Sequence, residues 1–423
     1  MPHPPTSVAR LSRDARIVLA GSAVSALGNG LTLPFLLIYL HKVRGIPLAQ
    51  TGLLLAIPGV ISLVAGPVAG ALVDRLGARR VLAVGAVGNA VAYGSIALVH
   101  TAAQAVPVEI LLGVFNATFY PSQSSLFARL AGGPALQRLF AMNFVLLNAG
   151  IGLGGLAAGL FVHVQHPGTF QLVYLLDAAT FVIYAALVAS IRESGRAAAT
   201  SVRTGSYGDV LRHRLFRRVF AVSILLALTG YTQIDSGLPA FATDVAHVST
   251  QTIALSFVAN TAMIVIGQLV VLKRLAGVRR TRALLVVAGV WAASWAFLGL
   301  AGVLPGHGWR VAVVIAFGAL FGLGETFMAP TVGPMINDIA PDHLRGRFNA
   351  LSSLAYSVGF VLGPALSTLL IGAHLSAAWI GLLLAGTALV VRLSLRLEPR
   401  LTPAENGISG ALAGPPQLEQ MLI

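Results

Sequence analysis

The 423-residue sequence contains no cysteine, and only 10% of its residues are charged. The lack of cysteine excludes disulfide bridges, thiolate metal ligands and thiol nucleophiles. The shortage of charge excludes a water-soluble globule of this size, because soluble proteins carry about 25% charged residues. Apolar residues make up 56% of the chain instead. The solvent for such a chain is lipid, where a helix needs about 20 apolar residues to cross the hydrocarbon core.

Twelve apolar runs are long enough to be membrane-spanning helices, so we predict an all-α membrane protein. Their approximate ranges are 17–40, 49–70, 81–99, 105–128, 138–163, 169–191, 216–242, 248–272, 281–303, 308–337, 347–371 and 376–396. The first run follows three arginines, as in a signal peptide, but it is too long and lacks a clear cleavage site. We therefore expect it to stay as the first span.

The longest polar interval lies near the middle of the chain and is basic and rich in small residues, which is typical of a linker. The tail is rich in Gly, Pro and Ala, and we expect it to be disordered. The predicted organisation is an N-terminal segment 1–16, a six-helix bundle 17–191, a linker 192–215, a second six-helix bundle 216–396 and a tail 397–423.

Basic residues orient the chain. The net charge is +14, but the basic residues recur in short clusters between apolar runs and form no single basic face, which argues against a nucleic-acid partner. With the N-terminus inside, all but Lys42, Arg44 and Arg310, that is 25 of the 28 lysines and arginines, lie on the inner side. We therefore expect both termini in the cytoplasm and the protein in the plasma membrane.

The two halves repeat at an offset of 209 residues. The matched pairs are Gly113 with Gly322, Pro121 with Pro330, Arg138 with Arg347, Gly150 with Gly359 and Gly154 with Gly363. Two six-helix repeats running in the same direction on either side of a linker are typical of a two-bundle transporter.

The loop after the second span reads GALVDRLGARR and holds six residues at a characteristic spacing, namely Gly70, Asp74, Arg75, Gly77, Arg79 and Arg80. It resembles the signature loop of the major facilitator superfamily, which implies twelve helices and an inner gate latched by Asp74. We expect Gly70 to let the helix end approach a neighbour and Gly77 to permit a tight turn. The alternative is a loop that only fixes topology, with a solvated Asp74.

The second half carries a related basic loop at 267–280 that has no aspartate. At the 209 offset, Arg129 at the end of span 4 corresponds to Asp338 at the end of span 10. In the first half, a loop with an aspartate would thus lie beside a basic helix end. In the second half, a basic loop would lie beside an acidic helix end. This pattern predicts two complementary latches, and the alternative is ordinary charge neutralisation.

Span 5 reads NAGIGLGGLAAG over 148–159, which resembles the antiporter signature of drug-exporting members of that superfamily. Two departures limit the resemblance. Gly155 stands where those members have proline, and Glu109 stands in span 4 where they have arginine. A proton-handling role of that arginine is therefore not carried over to this chain.

Four acidic residues fall within predicted spans, and no lysine or arginine lies well inside one. A lone carboxylate in lipid costs several kcal/mol, so it takes up a proton or finds a cation. We expect Glu325 near mid-membrane, Asp235 in the outer part of span 7, Asp177 in a structural hydrogen bond, and Glu109 close to the outer surface and hydrated. Further candidates for binding protons or substrate are Asn116, Tyr120 and Tyr231.

These features predict a secondary active transporter that exports hydrophobic or cationic small molecules in exchange for protons by alternating access. The main alternative is a proton symporter or facilitator that imports a small metabolite. An intramembrane enzyme is disfavoured, because the sequence has no HExxH or GxSxG motif and no cysteine. We expect no cofactor or metal, a monomer, and no partners beyond substrate, protons and lipid.

Overall fold

The computed structural model describes residues 11–131, 133–192, 207–275, 277–341 and 344–408, and almost all of these are helical. The chain divides into two compact units, Met1–Thr200 and Ser201–Ile423. Within the predicted linker, a short helix Tyr207–Arg212 is described, and residues 193–206 lie outside the described part. The exact ends of the linker stay a prediction.

The first unit has six long helices. They are α1 (Arg13–Val43), α2 (Leu48–Leu76), α3 (Ala78–Ile96), α4 (Ala102–Leu130), α5 (Gly133–Phe161) and α6 (Pro167–Ala189). The Ser12 hydroxyl caps α1 by accepting the Ala15 N–H at 3.1 Å. α1 is not uniform, since it tightens to a 3₁₀ turn at Leu33–Phe35 and widens to a π turn at Tyr39–Val43.

The second unit has six long helices as well. They are α7 (Arg214–Asp244), α8 (Thr250–Leu275), α9 (Arg280–Leu300), α10 (His307–Ile339), α11 (Arg345–Gly372) and α12 (Ser376–Leu397). Like α1, the helix α7 departs from α geometry. It contains two successive π turns, Ala227–Tyr231 and Gln233–Gly237.

The predicted all-helical membrane fold is confirmed, with one qualification on the count of spans. Within the described ranges, eleven helices are long and apolar enough to cross a membrane. The remaining long helix, α3, has 19 residues and carries Arg79 and Arg80 in its first turn. Its length is about 28 Å at 1.5 Å per residue. α3 lies where the third span was predicted, but its apolar part is too short to be counted among the eleven helices.

Helix pairing is the same in the two units. In the first unit α1 packs against α5 and α6, α3 packs against α4 and α6, and α2 packs against α4. In the second unit α7 packs against α11 and α12, α9 packs against α10 and α12, and α8 packs against α10. Helices that correspond in the sequence repeat therefore make the same contacts in the two units.

The matched glycines lie at equivalent helix contacts. A Cβ atom on Gly150 of α5 would overlap α1, and one on Gly359 of α11 would overlap the corresponding helix α7. Likewise, a Cβ on Gly113 would overlap α2 and one on Gly322 would overlap α8. Small residues let backbones approach closely, which is how helices gain packing energy in lipid. The repeat thus preserves the sites of closest approach.

Gly154 and its neighbour Gly155 offer a direct test of this close packing. A Cβ on Gly154 would overlap the Leu27 carbonyl of α1, whereas the nearest atom to a Cβ on Gly155 is the Gly30 carbonyl at 3.6 Å. We expect Gly154→Ala to destabilise the protein by about 1–3 kcal/mol through overpacking. Gly155→Ala is the matched control and should be tolerated. Thermal unfolding in detergent measures both, and equal melting temperatures for the two variants would contradict the prediction.

Candidate functional site

Glu325 lies in the middle of α10 and is 9% exposed. The side-chain amide of Asn260, on α8, donates a hydrogen bond to Glu325 Oε2 at 2.5 Å. Asn260 is itself buried, with 7% of its surface exposed. Among the described residues no lysine or arginine pairs with Glu325. The carboxyl group therefore has a neutral partner, and the predicted mid-span position agrees with the structure.

Two candidates from α7 join Glu325. The Tyr231 hydroxyl and the Asp235 carboxyl both lie close enough to the Glu325 carboxyl to influence it electrostatically. The Tyr231 ring meets Trp291 edge-on, with centroids 6.1 Å apart. The second unit thus brings together three of the predicted residues, Glu325, Asp235 and Tyr231. Because Asp235 is only partly buried, it is the more accessible of the two carboxyl groups.

The π turns of α7 place these side chains. Gly230 and Gly237 allow the helix to lie directly against the indole rings of Trp291 and Trp379. The Thr232 hydroxyl donates a hydrogen bond to the Ala227 carbonyl, five residues earlier, at 3.0 Å. In a regular α-helix this carbonyl would accept the backbone N–H four residues later. π turns inside α-helices often mark functional sites, because the extra residue changes where the side chains point.

Sequence reasoning missed the uncharged amides of this unit. Besides Asn260, Gln233 is fully buried, accepting the Trp379 indole N–H at 2.9 Å and donating to the Gly363 carbonyl at 3.3 Å. The available signal was an amide side chain inside an apolar run, which was used for Asn116 and not for Asn260 or Gln233.

In the first unit, Asp177 of α6 is fully buried and held by hydroxyl groups. Thr32 of α1 donates to Oδ2 at 2.8 Å, and Thr180 lies 3.3 Å from Oδ1. Gly28 leaves the space that the carboxyl group occupies. This arrangement ties α1 to α6 and agrees with the structural hydrogen bond expected for Asp177.

The expected hydration of Glu109 is wrong, because its side chain is 2% exposed. Its expected place near one end of the span is not contradicted, since it lies close to Ala102, where α4 begins. Its Oε2 atom has no hydrogen-bond partner among the described residues. Within the unit α4 packs against α2 and α3, and α6 packs against α3, so other helices enclose α4. Farther along α4, Asn116 is partly buried and Tyr120 is 50% exposed, so these two candidates lie closer to the surface of the unit than Glu109 does.

The signature residues lie at the end of α2 and the start of α3, and Gly77 alone separates the two helices. Gly77 has a φ of 89°, a value that favours glycine, as expected for a tight turn. Within the described part of the first unit, a Cβ on Gly70 would meet nothing within 4 Å, so the expected close approach is not seen there. Arg79 donates to the carbonyls of Val188 at 3.3 Å and Ala189 at 2.5 Å, which ties the start of α3 to the end of α6.

The remaining charged residues of this loop, Asp74, Arg75 and Arg80, are exposed. In the second unit, the basic loop does meet the acidic helix end, since Arg280 pairs with Asp338 at 2.6 Å. Arg129, the counterpart of Asp338, is partly buried, and its Nη1 atom has no hydrogen-bond partner in the described part of the chain. The latch role of these residues stays a prediction.

The start of the tail is ordered where disorder was expected, which corrects the prediction for residues 401–408. The Asn406 side-chain oxygen accepts the Thr281 N–H at 3.0 Å, and its carbonyl accepts the Arg280 N–H at 3.0 Å. Glu398 bridges Arg279 at 2.6 Å and Arg282 at 3.0 Å. The first backbone N–H groups of a helix have no hydrogen-bond acceptor within the helix. For α9, Asn406 of the tail supplies such acceptors. Residues 409–423 lie outside the described part.

The sequence matches the family model of the Major Facilitator Superfamily over residues 18–318 and 279–420. The chain belongs to this superfamily. Its relatives include a Na(+), Li(+), K(+)/H(+) antiporter of Planococcus maritimus, 24% identical over 380 residues that cover 84% of this chain and 88% of that protein. The quinolone resistance protein NorA of Staphylococcus aureus (strain MRSA252) is 22% identical over 371 residues, covering 86% of this chain and 92% of that protein.

Solved structures of the superfamily share the fold. A POT family transporter in complex with a thioalcohol conjugated peptide aligns with a TM-score of 0.76 at 13% identity, covering 92% of this chain and 97% of the other. The nucleoside transporter NupG aligns with a TM-score of 0.71 at 14% identity, covering 92% and 99%. This superfamily member is therefore a multi-pass membrane transporter and not an enzyme.

The tail contact gives a testable stability effect. Asn406→Ala removes the acceptor for the Thr281 N–H and should lower stability by about 1 kcal/mol, the usual cost of losing an N-cap. Asn406→Asp keeps a side-chain oxygen at the same place and is the matched control. Thermal unfolding of the purified protein measures both. If Asn406→Asp lost as much stability as Asn406→Ala, capping of α9 would not be the role of this residue.

Proposed function

We propose that the protein exports hydrophobic or cationic small molecules across the plasma membrane in exchange for protons. The observation that carries this proposal is the buried Glu325 carboxyl, which has a neutral amide partner and no paired cation among the described residues. The relatives support the two parts of the proposal separately. One is named for quinolone resistance and the other for cation/proton exchange.

Asn260 lets Glu325 change its protonation state without leaving a polar atom unpaired. A carboxylate only accepts hydrogen bonds, whereas a protonated carboxyl group also donates one. The Asn260 side chain carries both an N–H₂ donor and a carbonyl acceptor, so a rotation of the amide satisfies either form. A buried lysine or arginine at this place would instead hold the carboxylate ionised. The pair is thus built to take up and release a proton.

Exchange follows if proton and substrate compete for the same negative charge. A buried carboxylate is costly in lipid, so it is neutralised either by a proton or by a cationic group. Asp235 is the more accessible group and can meet a cationic substrate first, and Tyr231 offers a ring and a hydroxyl beside Glu325. Binding of one ligand then releases the other, which couples their movements in opposite directions.

Proton-driven import of a metabolite is the alternative that uses the same carboxyl groups. The nucleoside and peptide transporters among the solved structures share only the fold with this chain. The neutral and acidic character of the site favours a neutral or cationic substrate over an anionic one. The inner location of both termini and the gating role of the Gly70–Arg80 loop are part of this proposal.

Substitution of Glu325 tests the proton-coupling role. We expect Glu325→Gln to reduce transport driven by an imposed pH gradient to background, because glutamine carries no exchangeable proton. The protein is reconstituted in proteoliposomes with a fluorescent cationic dye as substrate. The exposed carboxylate variant Asp209→Asn is the control and should transport at the normal rate. Gradient-driven transport that survives in Glu325→Gln would remove Glu325 from the mechanism, and proton-driven dye movement in the same direction as the proton would favour import.

Substitution of Asp235 tests its role in charge selection. Asp235→Asn should weaken transport of a cationic compound more than that of a neutral one, because only the cation loses a Coulomb partner. A difference of roughly ten-fold, or about 1.4 kcal/mol, is expected between the two substrates. Initial rates are compared at matched protein levels. Equal losses for both substrates would leave Asp235 with a purely structural role.

A further inference from the structure

Gln233 of α7 binds two other helices of the second unit. Its side-chain oxygen accepts the indole N–H of Trp379, on α12, at 2.9 Å, and its side-chain nitrogen donates to the Gly363 carbonyl, on α11, at 3.3 Å. Gln233 and Trp379 are both 0% exposed. Gly237 leaves room for the amide, since a Cβ there would lie 2.8 Å from its oxygen. One uncharged side chain therefore ties α7 to both of the helices against which it packs.

Hydroxyl groups beside Gln233 extend the contact between α7 and α11. The Ser236 hydroxyl oxygen lies 3.2 Å from that of Ser367, and Ser236 also donates to the Thr232 carbonyl at 2.6 Å. A Cβ on Gly363 would overlap the Thr232 hydroxyl, so the backbone of α11 lies directly against α7. Buried polar groups that lose their partners cost free energy, so these bonds oppose any rotation of α7 against α11.

The same segment of α7 carries two residues of the candidate site. Gln233 begins the second π turn and lies between Tyr231 and Asp235. Within residues 229–242, Tyr231 and Asp235 alone are partly exposed, and the others are buried. A π turn holds one residue more than an α turn. Its loss would therefore rotate the neighbouring part of the helix by about 100°, the angle per residue at 3.6 residues per turn.

The internal repeat shows that a helix in this place can pack without π turns. At the offset of 205 residues that matches Pro34 with Pro239, the π turns at 227–237 correspond to residues 22–32. Those residues lie in the regular α-helical part of α1. The counterpart of the glutamine is Gly28, which has no side chain to bind a neighbouring helix. The π turns and the bound glutamine thus occur together in α7.

We propose that Gln233 is a positioning residue for transport. By binding Trp379 and Gly363 it keeps the π turns of α7, and the π turns hold the Asp235 side chain on the same side of α7 as Tyr231. The consequence for transport rests on the proposed function, in which Asp235 distinguishes cationic from neutral substrates. The orientation of Asp235 does not rest on it.

Thiol labelling tests the orientation without a transport assay. The chain has no cysteine, so Asp235→Cys introduces a single thiol. Gln233→Met keeps the length of the side chain and removes both hydrogen bonds. It should slow the reaction of this thiol with a water-soluble maleimide by about two- to ten-fold, the factor that corresponds to one net hydrogen bond. An unchanged rate in the folded protein would overturn the proposal.

Gln123→Met is the matched control for this substitution. Gln123 of α4 is a buried amide as well, and it donates to the hydroxyls of Tyr184 at 2.7 Å and Ser22 at 3.3 Å in the first unit. Its substitution should leave the labelling rate of Asp235→Cys unchanged. If Gln123→Met slowed labelling as much as Gln233→Met, the effect would come from general destabilisation, and the positioning role would be excluded.

A second variant covers the case that Gln233→Met does not fold. Ser294→Cys places a thiol at a site on α9 that is 0% exposed, and it should stay unreactive as long as the second unit is folded. If Gln233→Met makes this thiol reactive, Trp379→Phe replaces it, since it removes only the indole N–H and keeps an aromatic ring. Slower labelling of Asp235→Cys in Trp379→Phe supports the proposal, and an unchanged rate overturns it.

Transport rates test the consequence for substrate selection. The ratio of initial rates for a cationic and a neutral compound should fall by about two- to ten-fold in Gln233→Met, at matched protein levels. In the Asp235→Asn background the same substitution should not change the ratio further, because the positioned charge is gone. A purely structural role would lower both rates equally. Equal losses in Gln233→Met, or a further change of the ratio in the double variant, would contradict the proposal.

The two assays separate this proposal from the proposed function. If Asp235→Asn leaves the ratio unchanged, Asp235 does not select charge, and slower labelling in Gln233→Met still supports the positioning of residue 235. If Asp235→Asn changes the ratio but Gln233→Met changes neither the ratio nor the labelling, the proposed function stands and the role of Gln233 is overturned.

Discussion

The requirement that every backbone polar group be satisfied without water governs this structure. In lipid an unpaired N–H or C=O group costs several kcal/mol, so the chain crosses the membrane only as helices. In lipid, burying apolar side chains between helices gives no hydrophobic gain. The helices therefore associate through close backbone packing at small residues. Gly113, Gly150, Gly154 and their partners in the second half are the positions where this packing occurs. The repeat in the sequence is thus a repeat of helix contacts.

Against this symmetric packing, the polar groups are distributed unequally. The first unit buries Asp177 among hydroxyls, and Glu109 Oε2 has no hydrogen-bond partner in the described part of the chain, whereas the second unit pairs Glu325 with Asn260. The proton exchange proposed for Glu325 requires that both of its protonation states be tolerated, and the Asn260 amide can satisfy either one. Packing and proton chemistry therefore make separate demands on the chain, and they can change independently between its halves.

Sequence reasoning predicted the features that follow from hydropathy and repetition. The helices, the repeat, the turn at Gly77 and the mid-span place of Glu325 could be found because each depends on local residue types. Partners could not be found in the same way. The Asn260 contact joins residues 65 positions apart, and the π turns of α7 depend on Trp291 and Trp379 from other helices. The burial of Glu109 was missed because the depth of a residue along one helix does not reveal which side chains cover it.

The contact between Asn406 and the start of α9 has a consequence for how the protein is made. The two partners are separated by 125 residues. Ribosomes add roughly 5–20 residues per second, so the cap is completed about 6–25 s after Thr281 has been synthesised. During that interval three further membrane helices are inserted while the beginning of α9 has only water or lipid headgroups as acceptors. The second unit therefore reaches its final structure only after the tail has been synthesised and Asn406 contacts the start of α9.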